Sequence, residues 1–85
     1  GIRMKLFPNP NTGQFTITGL TQTNEVHYVS IYNTLGALVY RAEVIPAMAN
    51  LETVIDTRGI ASGVYTLLLQ SRGEKATARF TVTGN

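Results

Sequence analysis

The chain contains no cysteine in its 85 residues, so neither a disulfide framework nor a thiolate metal site can hold the fold, and packing alone must do so. Charge is scarce too: charged residues make up 14% of the sequence, leaving a surface poorer in charge than usual, some of which a partner could cover. Seven Lys and Arg against five Asp and Glu give a formal charge of +2. The basic residues are scattered over the chain, without the cluster that counterion release at a nucleic-acid backbone requires, which argues against a DNA or RNA partner. No apolar run approaches the roughly 20 residues of a membrane-spanning helix, so no membrane insertion is expected, and no basic-then-apolar export signal opens the chain. His27 is the sole histidine, and a metal site or a histidine-dependent nucleophile needs partners that the sequence does not supply. It reads instead as a half-buried strand histidine. Asn11-Thr12-Gly13 lacks the lysine and the following helix of a phosphate loop. No cofactor, metal or catalytic set is expected, and the chain reads as non-enzymatic.

What is present is a globular composition, 44% apolar, in a length with room for one domain that hides about 60–65% of its unfolded surface. Residues 1–85 are read as that domain. Part of Gly1-Ile2-Arg3 is read as linker or vector-derived, and the natural protein is expected to continue upstream. Apolar alternation broken by Gly, Pro and Asn recurs about every ten positions, the spacing of a sandwich or barrel of short strands. Seven strands are expected, near 3–7, 14–19, 26–33, 37–45, 51–56, 63–71 and 75–83, and no segment shows a helical period.

The last two strands carry the clearest pattern. Tyr65, Leu67 and Leu69 share one face, and Ala76, Ala78, Phe80 and Val82 share one face of the next strand, which assigns these seven to the core. Thr66 and Gln70, then Thr77, Arg79 and Thr81, take the opposite faces, and Ser71-Arg72-Gly73-Glu74 makes the turn. Strand three turns Val29 and Ile31 inward with His27 at its start. Strand four offers Leu38, Val39, Val44 and Ile45 in an irregular order that a bulge explains. Asn33-Thr34-Leu35-Gly36 is a turn in which Gly36, or Asn33, takes left-handed geometry, and Pro46 closes strand four. Strand five alternates through Leu51, Thr53 and Ile55. Asp56 then caps a turn, Ile60 plugs the end of the core, and Gly59 and Gly63 bend the chain into strand six.

Three segments resemble the type IX secretion system C-terminal sorting domain, type A, also called the Por secretion system C-terminal sorting domain. They are Phe7-Pro8-Asn9-Pro10-Asn11-Thr12-Gly13-Gln14-Phe15-Thr16-Ile17, Val29-Ser30-Ile31-Tyr32-Asn33-Thr34-Leu35-Gly36, and Ile60-Ala61-Ser62-Gly63-Val64-Tyr65-Thr66-Leu67 followed by Lys75 to Val82. The resemblance implies a seven-stranded, antiparallel immunoglobulin-like β-sandwich at the C-terminus of an exported Gram-negative surface or secreted protein. It implies as partners the type IX outer-membrane translocon, a sortase-like surface peptidase that removes the domain, and an upstream cargo domain. It implies passage through the periplasm to the cell surface or medium. The closing strand runs out in Thr83-Gly84-Asn85 where many members carry a further lysine, so Lys75 and Arg79 are the basic side chains left there.

On this reading Lys75, Arg79, Phe80 and Val82 are the recognition residues, with Arg72 beside them, while Phe7, Pro8, Asn9, Pro10, Gly13, Gly36, Gly63 and Tyr65 shape the fold. Two readings of Pro-Asn-Pro stay open. One is a rigid start to the sandwich, the other an unpaired, extended edge that a partner pairs with. Tyr65 is expected to bury its ring and to send its hydroxyl to a backbone acceptor. The rival function is an immunoglobulin- or fibronectin-like adhesion or carbohydrate-binding module that uses an aromatic strip of Tyr28, Tyr32 and Tyr40. Exposed edges also allow a strand-exchanged homodimer.

Overall fold

A computed structural model describes residues 2–84 of the chain; Gly1 and Asn85, and with them the first of the expected linker residues and the last residue of the tail, lie outside the described residues. The seven expected strands form: β1 Arg3–Phe7, β2 Gln14–Leu20, β3 His27–Tyr32, β4 Leu38–Val44, β5 Asn50–Asp56, β6 Gly63–Ser71 and β7 Glu74–Val82. They make two antiparallel sheets, ordered β1-β2-β5 and β4-β3-β6-β7. The chain changes sheet between β2 and β3, between β4 and β5, and again between β5 and β6. This is an immunoglobulin-like sandwich.

The core is the set of inward phases of the two sheets. Phe15, Ile17, Leu51 and Ile55 come from the three-stranded sheet, and Val29, Ile31, Tyr65, Leu67, Leu69, Phe80 and Val82 from the other. Phe80 is the centre of an aromatic group, with the Phe15 ring at 4.8 Å and the Tyr65 ring, its cross-strand neighbour, at 5.8 Å. Such ring pairs add to the stabilisation that burial alone provides. Ile60 packs against this cluster from the loop after β5. Ala76 and Ala78 keep the inward phase of β7 but are only half-buried. β7 is the outer strand of its sheet, so its inward row has a neighbouring strand on one side only.

Strand four departs from the simple reading, and the bulge explains how. The register between β3 and β4 slips between Ile31 and Tyr32, whose partners are Tyr40 and Leu38. Past that slip Tyr40, Ala42 and Val44 turn inward, whereas Leu38, Val39 and Ile45 are exposed. Tyr40 therefore packs against the core while Tyr28 lies on the opposite, outer face beneath the Arg41 guanidinium, 5.5 Å from the ring centre. The three tyrosines do not form one strip, which removes the geometric basis of the sugar-stacking reading.

His27 is not half-buried but fully enclosed, at 0% exposure. Its Nδ1 lies 2.8 Å from the Glu25 carbonyl and its Nε2 lies 3.2 Å from Glu74 Oε1. A carbonyl only accepts, so Nδ1 is the donor in that contact, and Nε2 faces the carboxylate. Glu74 also accepts from the Gln22 N–H, at 3.2 and 3.4 Å from its two oxygens. This buried pair joins the start of β3, the start of β7 and the loop after β2.

The turns follow their residues in part. Gly36 takes a φ of +82°, while Asn33 does not need left-handed geometry; its side-chain oxygen accepts from the N–H of Leu35 and Ala37, each at 3.0 Å. Asp56 Oδ1 accepts from the Arg58 N–H at 2.9 Å, as a turn cap should. Gly63 lies within β6 without positive φ, and a Cβ added there meets the Tyr65 ring at an ordinary 3.7 Å, so the bend before β6 belongs to Gly59 and not to Gly63.

The turn between β4 and β5 breaks the usual rule. Ala47 and Asn50 exchange both backbone hydrogen bonds, at 2.8 and 2.9 Å, around Met48 and Ala49, which have φ of +54° and +68°. That is a geometry which Asn-Gly supplies without side-chain strain. The double replacement Met48→Asn with Ala49→Gly is expected to raise stability by about 1 kcal/mol, read as a higher urea midpoint with an unchanged slope.

Candidate functional interface

The opening motif and the closing strand, separated by the whole sequence, meet at one place. The Asn9 carboxamide behaves as a peptide group laid along the free edge of β7. Its Oδ1 accepts the Thr81 N–H at 2.9 Å and its Nδ2 donates to the Arg79 carbonyl at 3.4 Å. Asn11 continues this with its main chain, donating to Thr81 O at 3.0 Å and accepting from Thr83 N–H at 2.8 Å. Its own buried side chain donates to Pro8 O at 3.1 Å and accepts from the Gly13 N–H at 2.9 Å. The Gly13 carbonyl in turn accepts both the N–H and the hydroxyl of Thr57, at 2.9 and 2.7 Å. The peptide bonds before Pro8 and Pro10 are cis.

Pro-Asn-Pro is thus not an unpaired edge. Hydrogen bonds on Asn9 and Asn11 cover the 79–83 end of the β7 edge, so that the segment acts as the rigid start of the sandwich. This coverage also blunts a strand edge that would otherwise pair with other chains.

The second and third segments meet the same strand on its outer face. Tyr32, Thr66 and Arg79 lie side by side on β3, β6 and β7. With Asn33, Thr34, Gly36 and Val64 they line a groove of about 520 Å³. Leu35, at the tip of the turn that walls the groove, is 91% exposed. The turn is pinned by Asn33, and the far side by Tyr65, whose hydroxyl donates to the Ala61 carbonyl at 2.5 Å. Tyr65 therefore acts from below: its buried ring backs Phe80 and its hydroxyl fixes the approach to β6.

Lys75 and Arg79 share the outward phase of β7, with Thr77 between them and Thr81 beyond, and Arg41 stands on the same face of the sheet. Among the described residues no acidic side chain lies within ion-pair distance of Lys75 or Arg79. Phe80 and Val82 point the other way, into the core, at 1% exposure each. In the folded domain the two cations face outward, and the two apolar residues pack behind them. Sequence pattern locates the cations; it does not locate the groove, whose residues are brought together only by the β3-β6-β7 register.

The arrangement suits binding. The single histidine has both ring nitrogens engaged inside the sandwich, and among the described residues no three His, Asp or Glu side chains gather as a metal site. The groove carries one charged side chain, that of Arg79, and stands beside the exposed Leu35.

The geometry is that of an immunoglobulin-like module with one differentiated end. Residues 5–83 match the family described as the secretion system C-terminal sorting domain. The chain belongs to that family and is a C-terminal secretion signal of the type IX system. Among solved structures it is similar to part of PorZ, an essential bacterial surface component of the type IX secretion system of Porphyromonas gingivalis, at 26% identity and a TM-score of 0.64. That likeness covers 99% of this chain and 12% of PorZ. No curated protein matches the chain. A protein carrying such a signal is secreted or held at the cell surface.

Proposed function

We propose that this domain is a non-catalytic address on a longer exported polypeptide, read through the groove around Arg79 and the cations of β7. The cargo lies upstream, crosses the periplasm, and loses the domain to a sortase-like surface peptidase after the outer-membrane translocon has engaged it. One observation carries the reading: the three segments that mark the family converge on β7, two by lining the groove with Arg79 and one by holding the 79–83 edge. Cations on that strand that form no ion pair among the described residues can pair with an acidic receptor surface, which steers encounter and fixes orientation.

The test is a fusion of residues 1–85 behind a periplasm-directed reporter in a cell with a working type IX system. The reporter is expected at the surface or in the medium, at levels at least about tenfold above the unfused reporter. An expressed, folded fusion that stays in the periplasm contradicts the proposal.

A further inference from the structure

The outer face of the three-stranded sheet has a pattern that the sorting reading does not use. The β1-β2-β5 register sets its outward side chains in cross-strand rows: Arg3, Leu20 and Asn50; Lys5, Thr18 and Glu52; Phe7, Thr16 and Val54. Phe7 is 48% exposed, and Leu20 and Val54 are each 59% exposed. The side chains of the first two rows line an open groove of about 730 Å³. Basic residues stand only on β1 and the acidic residue of these rows only on β5, with Thr18 between them. Among the described residues Lys5 and Glu52 form no ion pair within the chain.

Such a face is complementary to itself under one symmetry operation. A two-fold axis along β2, between two facing sheets, lays β1 of one copy over β5 of the other. Lys5 then stands over the second copy's Glu52, and Glu52 over the second copy's Lys5. Phe7 covers Val54, Arg3 meets Asn50, and Leu20 meets Leu20 across the axis, closing the groove. The other in-plane axis, across the strands, lays β1 on β1 and sets basic residues against each other. Charge therefore selects one of the two arrangements, and it is an isologous one.

We infer that this face is a self-association surface and that its occupant is a second copy of the chain. With strands about 4.8 Å apart and about 3.4 Å per residue, the footprint is roughly 350 Å² per copy. About 700 Å² in total is below the range of stable complexes and puts the pair among weak, transient ones. Such a pair forms only where copies are concentrated; dilute copies stay apart.

Sedimentation velocity on the chain from about 10 µM to about 1 mM tests the inference, with the variants Lys5→Glu, Glu52→Lys and the double exchange. The wild type is expected to shift from monomer to dimer across that range. Each single reversal should weaken association at least about fivefold, and the double exchange should restore it to within about twofold, because the opposite charges again face each other. Matching thermal melts show that all variants are folded. Monomer throughout for the wild type overturns the inference, and so does a dimer indifferent to the single reversals, as strand exchange or pairing through the β4 edge would produce. Single reversals that dissociate the dimer without recovery in the double exchange overturn it as well.

Discussion

Replacing Phe80 by alanine is expected to lower stability by about 3–5 kcal/mol. The side chain is 1% exposed and its ring contacts those of Phe15 and Tyr65. Truncation removes both ring contacts and leaves a cavity lined by rigid strands that cannot collapse into it. A chain of this size has about 4–13 kcal/mol of stability in all, so one substitution takes a large share of it. The thermal midpoint should fall by about 15 °C or more. Urea unfolding followed by circular dichroism measures this directly, and a loss below about 1 kcal/mol would mean that β7 presents its other face to the core.

The second large effect is expected at Glu74. Its side chain is 4% exposed against a His27 side chain at 0%, and the Gln22 N–H shares the carboxylate. Glu74→Ala leaves an enclosed imidazole without its partner and removes the acceptor of the Gln22 N–H, which costs about 1–3 kcal/mol. Glu74→Gln keeps an acceptor oxygen at nearly the same place and should cost less than half as much, since a neutral hydrogen bond replaces the charge-assisted one. The comparison separates loss of the contact from loss of volume. Equal and small effects from both replacements would show that the pair contributes little to the sandwich.

Strand phase and number were legible because every strand but one alternates cleanly, and the boundaries fall within one residue of the expected ones. β4 was harder. Its bulge changes the phase in mid-strand, so Leu38 and Val39, which look like core residues, face outward and Tyr40 goes in. The His27–Glu74 pair was readable in principle: Glu74 continues the inward phase of Ala76, Ala78 and Phe80, just as His27 continues that of Val29 and Ile31. A charged residue and a histidine on inward phases need each other, but their pairing requires knowing that β3 and β7 flank β6.

The bonds of Asn9 to β7 span 70 and 72 residues of sequence, and no local pattern announces that a carboxamide will stand in for a strand. Nor does Met48-Ala49 carry a turn signal, because the residues that favour positive φ are missing there. Family resemblance reached further than periodicity here, since it singled out the opening motif, the central turn and the closing strand. Only the register shows that these are neighbours.

The claim on which the account rests is that the outward cations of β7, and not the apolar residues behind them, are what the secretion apparatus reads. The paired replacement Lys75→Glu with Arg79→Glu tests it in the reporter fusion. Both side chains are exposed, so stability should change by no more than about 1 kcal/mol. Export of this folded variant is expected to fall at least about tenfold, with the reporter retained in the periplasm. Export at the unmodified level, from a variant with an unchanged melting curve, would contradict the account.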